Sequence, residues 1–472
     1  MHSGVCGHSL ACSTTAQQHH CTTAPSHRLG GHRCAYSAQH YPLQLENVLK
    51  MDVTATTDGY ETNKTNETNE TNETNETNET NKKHKANPVC PIGIVERLTL
   101  ANTIDKDEVM GMANVHGCLA LVLALAGDGN AADQLKTFLG VNAPGSTGGV
   151  FKQLTALKNP DRHLFCIVSA EADAVLGKNG QACLEKMAML GGYQVGMNES
   201  IPIEEQLNEI LRKKAKLTED LFKVGDVNKP PRKLLLAAVA AESIEVEWLE
   251  EFDDVREGDF TTLDGTIRRA TFCSDREARE VLYSKIDDMF HMVSIPCKPK
   301  NGTARSMILL LPMGGVGGVG LETCVTKLAE AYSAHTVEWT TRSVDIKFPR
   351  MEAVSGPNDI KPRLEKDIPD IFNEHAAPFE SSLPAEEIGG NAFVSKVIHF
   401  ASFKADEKGA EAKAVTVAPV VVYRSLASSP PPPIPFHCTS PFFVLLVDGD
   451  VETSNVSVEF ALKVCDAAVR AP

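Results

Sequence analysis

The residues best suited to chemistry lie near the C-terminus, where Tyr423-Arg-Ser-Leu426 precedes four prolines, Pro430 to Pro433. Arg424 in an exposed, extended loop is the side chain that a trypsin-like protease accepts in a pocket with an aspartate at its base. Tyr423 would suit a chymotrypsin-like pocket instead. The segment is therefore a candidate protease cleavage site, and an ordinary surface loop is the alternative.

Just before this site, small side chains occupy every second position. The small set is Ala410, Ala412, Ala414, Thr416 and Ala418, and the positions between them begin with Glu411 and Lys413. Because alternate residues of an extended strand point to opposite faces, the small set can enter a tight interior while the charged pair stays in water. A composition of Glu, Ala and Lys is also typical of a helix. Gly409 and the valine-rich run from Val415 to Val422 argue against a stable helix, so both a convertible strand and a helix stay open for this segment.

A glycine-rich motif, Gly315-Val-Gly-Gly-Val-Gly320, satisfies the G-x-G-x-x-G pattern of dinucleotide-binding turns. It follows an apolar strand and precedes a helical stretch from Leu321 to Tyr332. The strand before it belongs to a predicted antiparallel hairpin rather than to a parallel βαβ unit. We therefore favour a surface loop and keep a nucleotide-using enzyme as a minor alternative.

Other catalytic and metal-binding patterns do not occur in the sequence. G-x-S-x-G, H-E-x-x-H and G-x-x-x-x-G-K-[ST] are all absent. Cys6, Cys12, Cys21 and Cys34 share the first fifty residues with seven of the fifteen histidines, but without C-x-x-C or H-x-x-x-H spacing. We expect no metal site, and none of these patterns indicates an enzyme or a bound cofactor.

The hydrophobic pattern indicates which elements position these residues. Helices are predicted over 115–126, 131–139, 203–222 and 321–332, and strands over 234–241, 289–296, 306–311, 344–348, 391–403 and 442–447. The continuous apolar run 234–241 is typical of a fully buried strand, and Asp264-Gly265 marks a hairpin turn. Helices in front of antiparallel strands predict an α+β fold.

The chain is predicted to have two parts. Residues 1–88 form an extension that is Cys/His-rich at first and then carries a Thr-Asn-Glu repeat, which has no apolar residue to bury and is expected to be disordered. Residues 89–472 form one α+β domain. Glycosylation sequons lie at Asn63, Asn66, Asn69, Asn72, Asn75, Asn78, Asn198, Asn301 and Asn455. The repeat is either a glycosylated stalk or an unmodified linker.

Charge and cysteine usage restrict the partners. The 472 residues carry a formal charge of −16, which argues against non-specific binding to nucleic acid or to an anionic membrane. No apolar run approaches the roughly 18 residues of a membrane span. The cysteines after residue 89 are scattered singly, as is typical of reduced core thiols. They favour a reducing compartment, whereas the sequons favour secretion, and no secretory signal is visible in the first fifty residues.

Several segments together resemble the serpin family of serine protease inhibitors. Glu407-Lys-Gly-Ala-Glu-Ala-Lys-Ala-Val-Thr416 is similar to the family's hinge, which typically reads Glu-Glu-Gly-Thr-Glu-Ala-Ala-Ala-Ala-Thr. Further landmarks follow in the family's order: Asn130-Ala-Ala-Asp-Gln-Leu135, Trp248-Leu-Glu-Glu-Phe252, Ser306-Met-Ile-Leu-Leu-Leu-Pro312, Leu321-Glu322, Val344-Asp-Ile-Lys-Phe-Pro-Arg-Met351, Val394-Ser-Lys-Val-Ile-His399 and Pro441-Phe-Phe443. The resemblance covers roughly residues 90–470.

The resemblance implies the serpin fold, with a large mixed β-sheet, further sheets, about eight to nine helices and an exposed reactive loop near the C-terminus. It also implies a metastable native state. A protease cuts the loop and forms an acyl-enzyme, and the loop then inserts into the main sheet as a new strand. The implied hinge residues are Glu407, Gly409, Ala410, Glu411, Ala412, Ala414 and Thr416.

On this resemblance we expect an inhibitor of serine-type endopeptidases that acts as a suicide substrate and traps the protease covalently. The favoured reactive bond is Arg424–Ser425, with Ser425 following the arginine as in many trypsin-like targets, and it requires a loop one residue longer than the family's usual spacing from Gly409. That usual spacing gives the alternative, Tyr423–Arg424. The partner is a trypsin-like or chymotrypsin-like serine protease, and the chain is expected to be an extracellular monomer, with the cytoplasm as the alternative compartment. A non-inhibitory binding or carrier protein of the same fold is the alternative function.

Overall fold

A computed structural model of the chain describes residues 107–141, 162–214, 222–225, 234–242, 246–300, 302–314, 320–409, 432–453 and 455–466, and the single residues 93, 95, 154, 220 and 227. All of them fall within the unit Asn81–Pro472. The extension 1–88 lies outside the described residues.

Fifteen strands are present in this part of the chain. They are β1 (Glu108–Gly111), β2 (Arg162–Val168), β3 (Tyr193–Gly196), β4 (Leu236–Glu242), β5 (Asp254–Thr261), β6 (Ile267–Ser274), β7 (Arg279–Ile286), β8 (Phe290–Lys300), β9 (Thr303–Pro312), β10 (Thr340–Pro349), β11 (Met351–Asp359), β12 (Ile398–Ala405), β13 (Ile434–His437), β14 (Phe442–Asp450) and β15 (Asn455–Val464).

The described residues also contain eight α-helices and a 3₁₀-helix, Pro369–Phe372. The α-helices are α1 (Met112–Ala126), α2 (Asn130–Phe138), α3 (Ala170–Asn179), α4 (Gln181–Met189), α5 (Ile203–Lys214), α6 (Leu321–Ser333), α7 (Lys361–Leu364) and α8 (Ala385–Ile388). The predicted α+β class is confirmed, but the expected order of helices first and strands behind is only partly correct, because β1, β2 and β3 lie among the first five helices and α6, α7 and α8 lie among the later strands.

Helix α1 forms the centre of the largest apolar cluster. All of its residues except Asn114 and Cys118 are buried, because apolar side chains cover every face of the helix. The prediction of a core helix at 115–126 is therefore confirmed. Among the helices in the described ranges, none has the length and hydrophobicity needed to cross a membrane.

A ten-stranded sheet follows the order β1-β15-β14-β9-β8-β7-β10-β6-β5, and β13 pairs with β10 in parallel. The β5–β6 hairpin turns at the predicted Asp264-Gly265, where Gly265 has φ +84°. Strand β9 pairs antiparallel with both β8 and β14. The strand that precedes Gly315–Gly320 is thus not part of a parallel βαβ unit, and residues 315–319 lie outside the described ranges.

Two smaller sheets bear on function. One has the order β3-β2-β4, and the other is the antiparallel pair β11–β12. The expectation that 234–241 is a fully buried strand is wrong, because residues 234–240 are only half-buried. Within the described chain β4 is an edge strand that pairs only with β2, so its other edge has no strand to cover it. The predicted strand 391–403 is also shorter, since pairing begins only at Ile398.

The cysteines behave as the sequence predicts. The eight that the structure describes form no disulfide, and all except Cys118 are buried. Burial raises the pKa of Cys118 and of Cys297 to about 12, because the apolar surroundings penalise the thiolate. These thiols are therefore inert core groups at neutral pH.

Candidate functional site

The structure describes two of the predicted hinge residues, and both lie just beyond the end of β12. Glu407 is half-buried and Gly409 is buried. The other predicted hinge residues, Ala410, Glu411, Ala412, Ala414 and Thr416, lie outside the described ranges, as do Tyr423, Arg424 and Ser425 of the predicted reactive bond.

Residues 406–409 form a tight turn, which we call the hinge turn. The backbone N–H of Asp406 donates to the carbonyl of Gly409 at 3.0 Å, and the N–H of Gly409 donates to the carbonyl of Asp406 at 3.3 Å. The Asp406 carboxylate accepts a further bond from the N–H of Lys408 at 2.9 Å. The hinge turn therefore lies directly after the C-terminal end of β12, where the chain leaves that strand.

Gly409 is required by the geometry of this turn. Its φ is +119°, a conformation that side chains with a Cβ rarely adopt. An added Cβ would lie 2.3 Å from the carbonyl oxygen of Val246 and 2.7 Å from the Cα of Glu247. The hinge turn is therefore packed directly on the backbone of the neighbouring segment.

That neighbouring segment, residues 246–252, is called the anchor segment. The Trp248 indole N–H donates to the carbonyl of Asp406 at 2.7 Å, and the backbone N–H of Phe252 donates to the carbonyl of Glu407 at 2.8 Å. Glu247 and Gly409 form an isolated antiparallel bridge. Three contacts thus join the anchor segment to the hinge turn.

An aromatic cluster packs the anchor segment against Phe348 of β10. The rings of Trp248, Phe252 and Phe348 meet edge to face, with centroids 5.0 to 5.9 Å apart. Trp248 is 1% exposed and Phe348 is fully buried. Burial of three large rings fixes the position from which Trp248 reaches the hinge turn.

Arg350 forms an ion pair with the hinge turn. Its guanidinium donates to the Glu407 carboxylate at 2.7 and 2.9 Å. Burial opposes ionisation of Glu407, but hydrogen bonds from its own backbone and from Arg350 outweigh this, so the pKa of Glu407 lies below its ordinary value. Because the Arg350 side chain is 45% exposed, the pair contributes modestly, on the order of 0.5 kcal/mol.

A buried histidine lies beneath the start of α1. His399, on β12, accepts a hydrogen bond at its Nε2 from the backbone N–H of Gly111 at 3.1 Å. Desolvation lowers the pKa of His399 to about 4, and the nearby Arg363 lowers it further. The ring is therefore neutral at pH 7, and this neutral form is the one that can accept the bond.

Sequence reasoning missed the contacts that close the hinge turn. The sequence marks Trp248 and Phe252 only as family landmarks, and Arg350 only as part of a strand motif. Their partners in the hinge turn are distant in sequence: Arg350 and Glu407 are 57 residues apart, and Trp248 and Asp406 are 158 apart. No local pattern marks such pairs.

The sequons are only partly described. Asn198 is exposed, and its side-chain oxygen accepts a hydrogen bond from the N–H of Ser200 at 3.0 Å. Asn455 is the first residue of β15. Asn301 and the sequons of the repeat, Asn63, Asn66, Asn69, Asn72, Asn75 and Asn78, lie outside the described residues. Glycosylation remains a prediction.

Comparison with known proteins identifies the class to which this fold and hinge belong. A family model described as serpin (serine protease inhibitor) matches residues 100–456. Since this match covers more than half of the chain, the protein belongs to the serpin family, whose members generally act as protease inhibitors.

Individual relatives agree with the family match. The chain is 28% identical over 339 residues to Serpin-ZXA of Oryza sativa subsp. japonica, covering 66% of this chain and 80% of the relative. It is 26% identical over 247 residues to Serpin-Z2B of Triticum aestivum, covering 51% and 58%.

Solved structures agree on the fold. Arabidopsis AtSerpin1 in its native stressed conformation superposes with a TM-score of 0.63 at 16% identity, covering 80% of this chain and 95% of that one. The thermophilic serpin tengpin in its native state superposes with a TM-score of 0.60 at 16% identity, covering 79% and 92%. The predicted serpin fold is therefore confirmed.

Proposed function

We propose that this protein inhibits serine proteases by inserting its cleaved loop between β4 and β12. The observation that carries the proposal is that, among the described strands, β4 and β12 each have one unpaired edge. Among the described strands, β4 pairs only with β2 and β12 pairs only with β11. The hinge turn lies at the top of β12 and contacts the anchor segment that follows β4.

The spacing of the two edges supports this proposal. Gly111, the N-cap of α1, donates to His399 on β12, whereas a Cβ added at Gly117 would lie 3.7 Å from the Cβ of Ala240 on β4. Six residues of helix rise about 9 Å. Neighbouring strands lie about 4.8 Å apart, so this length accommodates one further strand between β12 and β4.

The composition of the proposed insert fits such a position. Ala410, Ala412, Ala414 and Thr416 would face the sheet interior above α1, where packing leaves no spare volume. Glu411 and Lys413 would face water. A strand of about 14 residues gains on the order of 10 kcal/mol from its new hydrogen bonds, which is enough to hold a distorted protease.

The covalent step needs no cofactor. The protease serine attacks the carbonyl carbon of Arg424, an ester bond forms, and the Arg424–Ser425 peptide bond breaks so that the Ser425 amine leaves. Insertion of the loop then carries the ester-linked protease away from the geometry that its deacylating water requires. The inhibitor is used once and is not an enzyme.

A protease titration tests the proposal. Mixed with trypsin or chymotrypsin, the protein is expected to form a complex that survives SDS, and sequencing of the released C-terminal fragment will give Ser425 or Arg424 as its first residue. Clean cleavage without a complex would instead indicate a non-inhibitory binding or carrier protein of the same fold.

The Ala410→Arg variant tests the insertion step, with Glu411→Arg as its matched control. Arginine at 410 would point into the sheet and block the hinge, so we expect cleavage without a trapped complex. Arginine at 411 would point to water, so trapping is expected to persist. Equal trapping by both variants would contradict the proposed strand register.

We further propose that the protein is an extracellular monomer and is glycosylated. The exposed sequon at Asn198 and the repeat sequons support glycosylation and secretion. Treatment of the natural protein with a peptide N-glycanase is expected to lower its mass. An unchanged mass would favour the cytoplasmic alternative, and size-exclusion chromatography will give the oligomeric state.

A further inference from the structure

Arg279, the first residue of β7, joins the ten-stranded sheet to the anchor segment. Its Nε and Nη2 atoms donate to the two carboxylate oxygens of Asp275, each at 2.7 Å. Its Nη1 donates to the carbonyl of Glu250 at 2.8 Å, and Nη2 also donates to the carbonyl of Glu251 at 3.0 Å. The guanidinium carbon lies 4.1 Å from the centroid of the Phe252 ring.

This set of contacts suits arginine and no other residue. The planar guanidinium can form a two-bond fork with a carboxylate, reach two carbonyls and stack on a ring at the same time. A lysine has one compact ammonium group and cannot do all three. The Arg279 side chain is only 11% exposed, so water screens these contacts little.

The position of the anchor segment depends on such contacts. Residues 249–253 belong to no helix or strand, and the Leu249 side chain is 57% exposed. Yet the Phe252 N–H is the donor to the carbonyl of Glu407 in the hinge turn. Arg279 holds both carbonyls that precede Phe252 as well as its ring, so it orients this donor.

We propose that Arg279 is a positioning residue that sets how readily the hinge turn opens for loop insertion. With Arg279 in place, the anchor segment presents the Phe252 N–H to Glu407 and the turn stays closed. Without it, the carbonyls of Glu250 and Glu251 lose this donor, so residues 250–252 move more freely and the turn opens more often, while Trp248 and Leu249 stay joined to β8. The inference rests on the proposed insertion mechanism and adds a control point to it.

Hydrogen exchange on the full chain tests this directly. Arg279→Met is expected to accelerate amide exchange about tenfold or more in peptides that cover 249–253 and 403–409, because it removes four charge-assisted hydrogen bonds. Arg279→Lys is expected to restore only part of the protection. Arg305→Met is the matched control, since Arg305 forms the same kind of fork with Asp448 on β14, at 2.6 and 3.0 Å.

The rate at which the protein binds a synthetic strand is a second measurement, and it would not change if Arg279 only stabilised the fold. A synthetic peptide that copies residues 410–423 is expected to anneal to Arg279→Met about tenfold faster than to the wild type, and to Arg305→Met at a rate set by stability alone. Equal exchange at 403–409 in the two methionine variants, or equal annealing after correction for their stabilities, would overturn the proposal.

The proposed function and the role of Arg279 are tested by different outcomes. If the wild type neither traps a protease nor takes up the peptide, the proposed function is wrong. Exchange at 249–253 and 403–409 would still decide whether Arg279 controls the hinge turn, because that measurement involves no protease and no inserted strand.

Discussion

Replacement of Gly409 by alanine is the sharpest perturbation of the hinge turn. The new Cβ would lie 2.3 Å from the Val246 carbonyl oxygen, 2.7 Å from the Glu247 Cα and 3.1 Å from the Trp248 nitrogen. All three neighbours are backbone atoms, so no side chain can rotate away. The hinge turn must instead leave the anchor segment.

The cost has two parts. Alanine at a φ of +119° is strained by about 1–2 kcal/mol. Moving the turn by the ~1 Å needed for ordinary contact also weakens the hydrogen bonds from Trp248 and Phe252, each of which contributes on the order of 1 kcal/mol. The free energy of unfolding should therefore fall by about 3 kcal/mol.

Gly265→Ala is the matched control. Gly265 also has a positive φ, +84°, but an added Cβ there meets no atom within 4 Å. In this variant only the backbone strain lowers the free energy of unfolding, by about 1 kcal/mol. Urea unfolding followed by circular dichroism will give both values.

The stability losses of Gly409→Ala and Gly265→Ala together test whether Gly409 packs closely on the anchor segment. Equal losses of stability in Gly409→Ala and Gly265→Ala would mean that the close packing of Gly409 on the anchor segment is wrong. If opening of the turn also limits insertion, Gly409→Ala should take up the 410–423 peptide faster than the wild type. Slower uptake would contradict that link.

Two further predictions concern charge. Glu407→Lys places two cations together and should lower the free energy of unfolding by about 1 kcal/mol. The double variant Glu407→Lys with Arg350→Glu exchanges the two charges and should recover about half of that loss. No recovery would mean that Arg350 and Glu407 do not form an ion pair. Burial lowers the pKa of both His116 and His399 to about 4, so unfolded chains bind protons first as the pH falls below 6.5. Each histidine should therefore contribute about 3 kcal/mol at pH 7 that is lost by pH 4. Urea titrations at pH 7 and pH 5 of the wild type and His399→Gln will measure this, and a parallel pH dependence would exclude His399 as a source.

Much of the architecture follows from local sequence patterns. The apolar run that forms α1, the Asp264-Gly265 turn and the strand 442–447 all lie where the sequence predicts them. Such elements depend on residues near each other in the chain, whose periodicity and turn chemistry are visible in the sequence alone. The order of the family landmarks likewise predicted the serpin fold, which the structure and the family match confirm.

The sequence by itself predicted the α+β class, the buried helix at 115–126, the Asp264-Gly265 turn and the strand 442–447, and it places a small-residue stretch beginning at Ala410 before a candidate cleavage site at Tyr423-Arg-Ser. Only the tertiary structure decided that β4 and β12 each keep an unpaired edge among the described strands, that Gly409 packs on the anchor segment, and that Arg279 contacts that segment. The physical reason is distance along the chain. A hydrogen bond between residues 158 positions apart, such as that from Trp248 to Asp406, leaves no periodic trace and exists only once folding has brought the anchor segment and the hinge turn together.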